Sequence, residues 1–212
     1  VTASELALLA FTSFITLVNP FGIMPVFISM TSNLDVKARR STAIRGGIVA
    51  FLILLLFALA GQFLFAFFGI SVNSFRMVGG IIFFTLGYDM LQARLSKIRV
   101  PEDKVDEYIG DISITPLAIP MITGPGSITN AIVLMEDADT IWLKTVLVIV
   151  MFSVILLNTL ALLFAANITK WLGVTGNKVM MRLMGLIVMV IAVEFFFSGL
   201  GPMLRSILGI EL

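Results

Sequence analysis

The chain of 212 residues contains neither cysteine nor histidine. The first absence excludes disulfides and thiol chemistry. The second excludes His-ligated metals and every Ser-His or Cys-His nucleophile. Charge is scarce as well: 13% of residues are Asp, Glu, Lys or Arg, against about a quarter in soluble domains. The net charge of +1 carries no signal for nucleic acid or an acidic partner. What remains is apolar, 59% of the chain, in runs that suit a lipid bilayer. No cofactor or metal motif is present, so neither is expected. The first apolar run lacks a basic n-region and a small-residue cleavage site, and is read as a first span rather than a leader.

Six apolar spans are expected, at about 5–31, 46–68, 74–93, 113–135, 142–169 and 180–200. Each is long enough for a hydrocarbon core of ~30 Å. Lys37, Arg39, Arg40, Arg45, Arg94, Lys97, Arg99, Lys104, Lys170, Lys178 and Arg182 fall on one side of the membrane. Only Arg76, Lys144 and Arg205 fall on the other. The positive-inside rule then places the three basic loops in the cytoplasm and both termini outside. The polar stretch 94–112 reads as a solvated tether between two units, 1–93 and 113–212, of one membrane domain.

The two units resemble each other. Arg76-Met77-Val78-Gly79 answers Arg182-Leu183-Met184-Gly185 at an offset of 106, and Gly69-Ile70-Ser71 answers Gly173-Val174-Thr175 at 104. Pro20 answers Pro125, and Asp89 answers Glu194, at 105. Three spans per unit is an odd number, so the second unit enters the membrane from the opposite side. The expected fold is an all-α membrane protein of six helices in two inverted three-helix repeats, the arrangement that suits alternating access.

Asn19-Pro20-Phe21-Gly22 and Gly124-Pro125-Gly126-Ser127 each interrupt a spanning run, making helices 1 and 4 discontinuous. In lipid an unpaired peptide group costs several kcal/mol, so such breaks must face protein, ligand or a wet cavity. The first break is expected over Asn19–Gly22, with Pro25 in the first turn of the half-helix that follows. In the fourth span Pro116 and Pro120 bracket a short half-helix, and Ser127 is the expected cap of the next. Half-helix N-termini suit a carboxylate and half-helix C-termini suit an ammonium group. Two crossed breaks therefore suit a zwitterion. Asn19, Thr123, Ser127 and Thr129 add neutral polar side chains, and no charged one lies near either break. Phe21, Met24, Met121 and Ile122 leave room only for a small solute.

At these residues the chain resembles a known family. Asn19-Pro20-Phe21-Gly22-Ile23-Met24-Pro25-Val26-Phe27, Pro116-Leu117-Ala118-Ile119-Pro120 with Gly124-Pro125-Gly126, and Arg182-Leu183-Met184-Gly185-Leu186 are similar to the motifs of the MarC family, in its order. The resemblance implies a six-span inner-membrane protein. That family includes SnatA-type carriers of small neutral amino acids such as glycine and alanine, driven by an ion gradient, more in keeping with protons than sodium. Carried over, substrate would meet Asn19, Pro20, Phe21 and Gly22, and Thr123, Gly124, Pro125, Gly126, Ser127 and Thr129. An exporter or a channel for another small solute is the alternative. An intramembrane aspartyl protease is not expected, because Tyr88-Asp89 lacks a Gly-x-Gly-Asp partner.

Asp89 and Glu194 are acids within spans, and such acids default to functional readings. If spans three and six pack antiparallel, Asp89–Arg182 and Arg76–Glu194 become two gating pairs. Without histidine, one of these acids is also the expected proton carrier. Asn158 and Gln62 are expected to tie helices together, and Gly46-Gly47 and Gly79-Gly80 to let helices approach closely.

Overall fold

The computed structural model describes residues 2–32, 34–92 and 105–209 and, of 105–108 and most of 166–177, the backbone alone. The described elements are helical throughout, with no strand among them. Helix α1 (Ala3–Val18) starts at a reciprocal cap: Glu5 N–H donates to Thr2 Oγ1, and Thr2 N–H donates to the Glu5 carboxylate at 2.8 Å. It stops at Asn19, the one described non-glycine residue with positive φ, at 46°. Helix α2 (Pro20–Met30) begins at once, with Pro20 where a missing N–H does no harm. The first break is thus one residue, narrower than Asn19–Gly22, and Pro25 lies inside α2 rather than in its first turn.

Arg39 Nη2 donates to the Thr31 carbonyl at 3.0 Å and ties the end of α2 to helix α3 (Val36–Phe68). Helix α3 is built inside out. Leu52, Leu56, Leu59, Phe63 and Phe67 face outward, while Ala43, Gly46, Gly47, Ala50, Ala58 and Gly61 are buried. An inner face mostly of small residues, with only Leu54 and Phe65 large, and large apolar residues outside is the pattern of a helix packed in lipid. Gly46 lies against Leu117 and Gly47 against Thr159, the close approach expected of that pair.

Gly69, at φ 63°, ends α3, and Ser71 caps helix α4 (Val72–Leu91). The repeat marker Gly69-Ile70-Ser71 is therefore a helix turn. Its counterpart Gly173, at φ 62°, breaks helix α7 (Ile141–Leu208) into two arms. The stretches of the arms that are long and apolar enough to span are Ile141–Ala165 and Lys178–Leu208.

Part of the expected tether is helix α5 (Val105–Ile112), whose Ile109 and Ile112 sit in the core. Arg94, Lys97, Arg99 and Lys104, and the side chain of Lys170, lie outside the described residues. Ser113–Ile122 follows as a wide-turned segment, extended at Thr115 and Ile119, the residues before Pro116 and Pro120. Both Pro residues follow cis peptide bonds. Because Thr115 and Ile119 are extended, the regular half-helix expected between Pro116 and Pro120 is absent. Helix α6 (Pro125–Asp137) then leaves at 63° to the Ile109–Ile122 stretch.

Among the described residues, four helical stretches are long and apolar enough to cross a membrane: Ala3–Met30, Val36–Phe68, Ile141–Ala165 and Lys178–Leu208. The bent pair Ile109–Ile122 and Pro125–Asp137 makes a fifth if it is one span. Helix α4, the expected third span, has 20 residues, but Asn73, Ser74, Arg76 and Asp89 dilute its hydropathy.

Helix α4 packs antiparallel against the second arm of α7 along glycine. A Cβ built on Gly80 would lie 2.7 Å from the Ala192 carbonyl, and one on Gly87 2.8 Å from the Gly185 carbonyl. Gly199 meets the Asn73 carbonyl in the same register. These backbones touch directly. All of α2 except Phe21 is buried, as is every residue from Met121 to Thr129. The two breaks are the centre of the molecule.

Candidate functional site: two buried helix breaks and a cavity

At the first break the left-handed turn of Asn19 is held at both ends. Its N–H donates to the Ile15 carbonyl at 3.0 Å. The Gly22 N–H donates to the Asn19 carbonyl at 3.0 Å and to its Oδ1 at 3.2 Å. Pro20 has no N–H, so the first turn of α2 keeps little free donor capacity. Gly22 leaves room for this arrangement: a Cβ would lie 2.6 Å from Asn19 Nδ2 and displace the capping side chain. Pro20 is buried beside the break. Phe21 turns outward, 73% exposed.

At the second break Gly124 is the cap of α6, supplies no side chain, and precedes Pro125. The amides of Gly126 and Ser127 therefore have no side-chain acceptor. Ser127 was expected in the capping place; instead its hydroxyl donates back to the Ile122 carbonyl at 3.4 Å. Thr123 likewise spends its hydroxyl on the Ala118 carbonyl at 2.7 Å. Thr129 Oγ1 is buried without a partner. Rings cover this break: Phe83 lies where a Cβ on Gly124 would point, and Phe195 where one on Gly126 would. Pro125 fills the notch of Gly79.

A cavity of ≈ 50 Å³ opens beside the first break. Asn19 and Gly22 are the expected site residues that line it, and Asn19 supplies its one polar side chain. Leu17, Val18 and Ile23 flank them, and Met90 and Met121 add to the lining. Phe83 and Leu86 from α4, and Val188 and Ile191 from α7, complete its walls. Phe83 with Val188, and Leu86 with Ile191, are each 105 residues apart, the offset of Pro20 and Pro125. Extending the repeat offset through the spans would have found these wall residues. Phe83 is also the partition between the cavity and the start of α6.

The glycine register sets Asp89 within one position of Arg182, and Arg76 within two of Glu194. Arg76 and Asp89 are half-buried, whereas Arg182 and Glu194 are exposed. Reversing Asp89 or Arg182 alone is expected to cut solute exchange about tenfold, and exchanging the two to restore it. Exchange that stays lost in the double variant would sink the pairing.

Gln62 is exposed on α3 and ties nothing in the core. Asn158 is fully buried, yet neither Oδ1 nor Nδ2 has a partner, contrary to the expected helix-tying role. A buried unpaired polar group costs ~1–3 kcal/mol, and an apolar residue of similar shape removes that cost. Asn158→Leu should hold or raise the Tm in detergent by a few degrees. A fall of several degrees would show the amide to be bonded.

Lipid-facing helices around two buried breaks and a small cavity define an integral membrane protein of permease-like architecture. The chain belongs to the MarC family of integral membrane proteins, whose family model matches residues 5–204. It is 37% identical over 194 residues to a UPF0056 membrane protein of Methanocaldococcus jannaschii, covering 91% of this chain and 95% of the relative. It is 34% identical over 195 residues to one of Pyrococcus horikoshii, covering 91% and 93%. The UPF0056 membrane protein YvbG of Bacillus subtilis is 35% identical over 196 residues, again covering 91% and 93%. No solved structure matches the chain.

Proposed function

We propose that the protein is a secondary carrier of small neutral amino acids, glycine and alanine first, working by alternating access of two inverted repeats. The cavity carries this reading. At ~10–15 Å³ per water-sized group, its ≈ 50 Å³ suits a solute the size of glycine. The Asn19 amide is its polar anchor, and its walls are neutral. Turning Phe83 aside would join it to the amides of Gly126 and Ser127, which suit a carboxylate. The seam between α4 and α7 supports the inverted repeat: shifting each residue by the offset of 105 exchanges the Gly80–Ala192 contact with the Gly87–Gly185 contact.

The excess of Lys and Arg on one side supports the cytoplasmic membrane, the inner one in a cell with two, with both termini outside. Proton coupling, carried on Asp89 or Glu194, suits a chain without histidine. Catalysis is no part of this reading. The rings sealing the second break favour a carrier over a channel. The test is counterflow of radiolabelled glycine into proteoliposomes, with and without excess cold alanine. Saturable counterflow that alanine blocks is expected, and its absence from folded protein would overturn the amino acid assignment. Proton and sodium gradients, imposed in turn, identify the coupling ion.

A further inference from the structure

The cavity and the one polar link between the broken helices lie on opposite sides of the breaks. Gly79 against Pro125 marks the level of the breaks on α4. Phe83, Leu86 and Met90 follow it by roughly 6, 10 and 16 Å along the helix, away from the side on which α1 begins. The cavity therefore extends toward the basic loops. Helix α1 approaches the breaks from its N-terminal side, and α6 leaves toward that same side. Ser13 comes about 9 Å before Asn19, and Asn130 about 7.5 Å after Pro125.

There Asn130 Nδ2 donates to Ser13 Oγ at 2.9 Å, half-buried. The Ser13 hydroxyl donates onward to the Ala10 carbonyl at 3.1 Å, so its oxygen is the acceptor in this link. Among the described residues this is the one hydrogen bond that joins side-chain nitrogen or oxygen atoms of two different helices at both ends; the Arg39 and Ser113 side chains reach only backbone carbonyls. Just beneath it, Phe195 and Leu17 close over Gly126. The repeat positions that would answer Ser13 and Asn130 are Ala118 and Pro25, and neither side chain can make such a bond. The link exists on one side only.

We propose that Ser13 and Asn130 form a latch that holds the N-terminal side of the carrier closed, so that the cavity at Asn19 is reached from the basic-loop side until the latch parts. This rests on the carrier reading above. A neutral latch of this kind breaks and reforms at little cost, because a net hydrogen bond is modest and both groups find other partners when water enters.

The chain has no cysteine, so one can be introduced at Leu17, between latch and cavity. Leu17→Cys in oriented proteoliposomes is treated with a membrane-impermeant methanethiosulfonate from the N-terminal side. Adding Asn130→Ala or Ser13→Ala should speed labelling roughly fivefold to tenfold. Adding Thr12→Ala, which removes a hydroxyl bonded only within α1, should change nothing. Unchanged labelling in both latch variants would overturn the proposal. So would equal acceleration by Thr12→Ala. Because Asn130→Ala could unsettle the fold, a second route uses Ser13→Cys with Asn130→Cys. Oxidation should stop glycine counterflow and reductant should restore it, and counterflow unaffected by a formed disulfide would also overturn the latch. Labelling that rises in a protein showing no glycine counterflow keeps the latch and removes the amino acid assignment instead.

Discussion

Gly126→Leu should lower glycine counterflow about a hundredfold while the protein still folds. A Cβ at this position points into the Phe195 ring and would lie 2.9 Å from Leu17 Cδ2. Overpacking of a tight interior costs ~1–3 kcal/mol, and every 1.4 kcal/mol is about a factor of ten. The strain falls at the start of α6, where Gly126 offers its own amide. The loss should therefore appear in exchange before it appears in stability. Combining Gly126→Leu with Phe195→Ala supplies the missing space, and tenfold recovery is expected. Wild-type rates in Gly126→Leu would remove the second break from the transport path. A loss that Phe195→Ala leaves untouched would show that the added side chain obstructs the path itself rather than crowding Phe195.

The second large effect is on stability. Gly87→Ala should lower the Tm in detergent by roughly 10 °C, taking ~3 kcal/mol for overpacking and ~2–4 °C per kcal/mol for a chain of this size. Its Cβ would stand 2.8 Å from the Gly185 carbonyl, 2.7 Å from Met189 Cγ and 3.0 Å from Met189 N. Two of those three atoms are backbone and cannot rotate away, so the helices must separate. Gly201→Ala, also in a helix but with nothing within 4 Å of its Cβ, is the control and should melt like the wild type. Equal melting of all three proteins would mean that α4 and α7 are not in contact as described.

The sequence made the breaks legible because Pro and Gly inside long apolar runs have few other uses. Asn19, Pro20 and Gly124 mark where the helices stop, and Gly46, Gly47, Gly79 and Gly80 lie at close contacts. Capping was harder to read. Ser127 has the right chemistry for a cap, but Pro125 fixes the first turn and moves the start of α6 back to Gly124. Pro25 looked like an initiator until Pro20, five residues earlier, took that place. Contacts between distant elements leave no local spacing to detect. Nothing near Phe83 announces Gly124, 41 residues away, and nothing near Ser13 announces Asn130. The side on which the cavity lies depends on such contacts and was invisible for the same reason.

The glycine seam between α4 and α7 bears on energetic bias. If the two halves trade conformations as proposed, the two central contacts of the seam trade places: Gly80–Ala192 takes the place of Gly87–Gly185, and the reverse. Such a seam acts as an axle. It contributes nearly the same free energy at both ends of the stroke and so favours neither. The resting preference must then come from features that have no twin. Asn130 and Ser13 are one such feature, and the Asn19 turn opposite the side-chain-free Gly124 is another. Substitutions in the axle should change how long the protein survives, and substitutions in the unpaired features should change which way it faces.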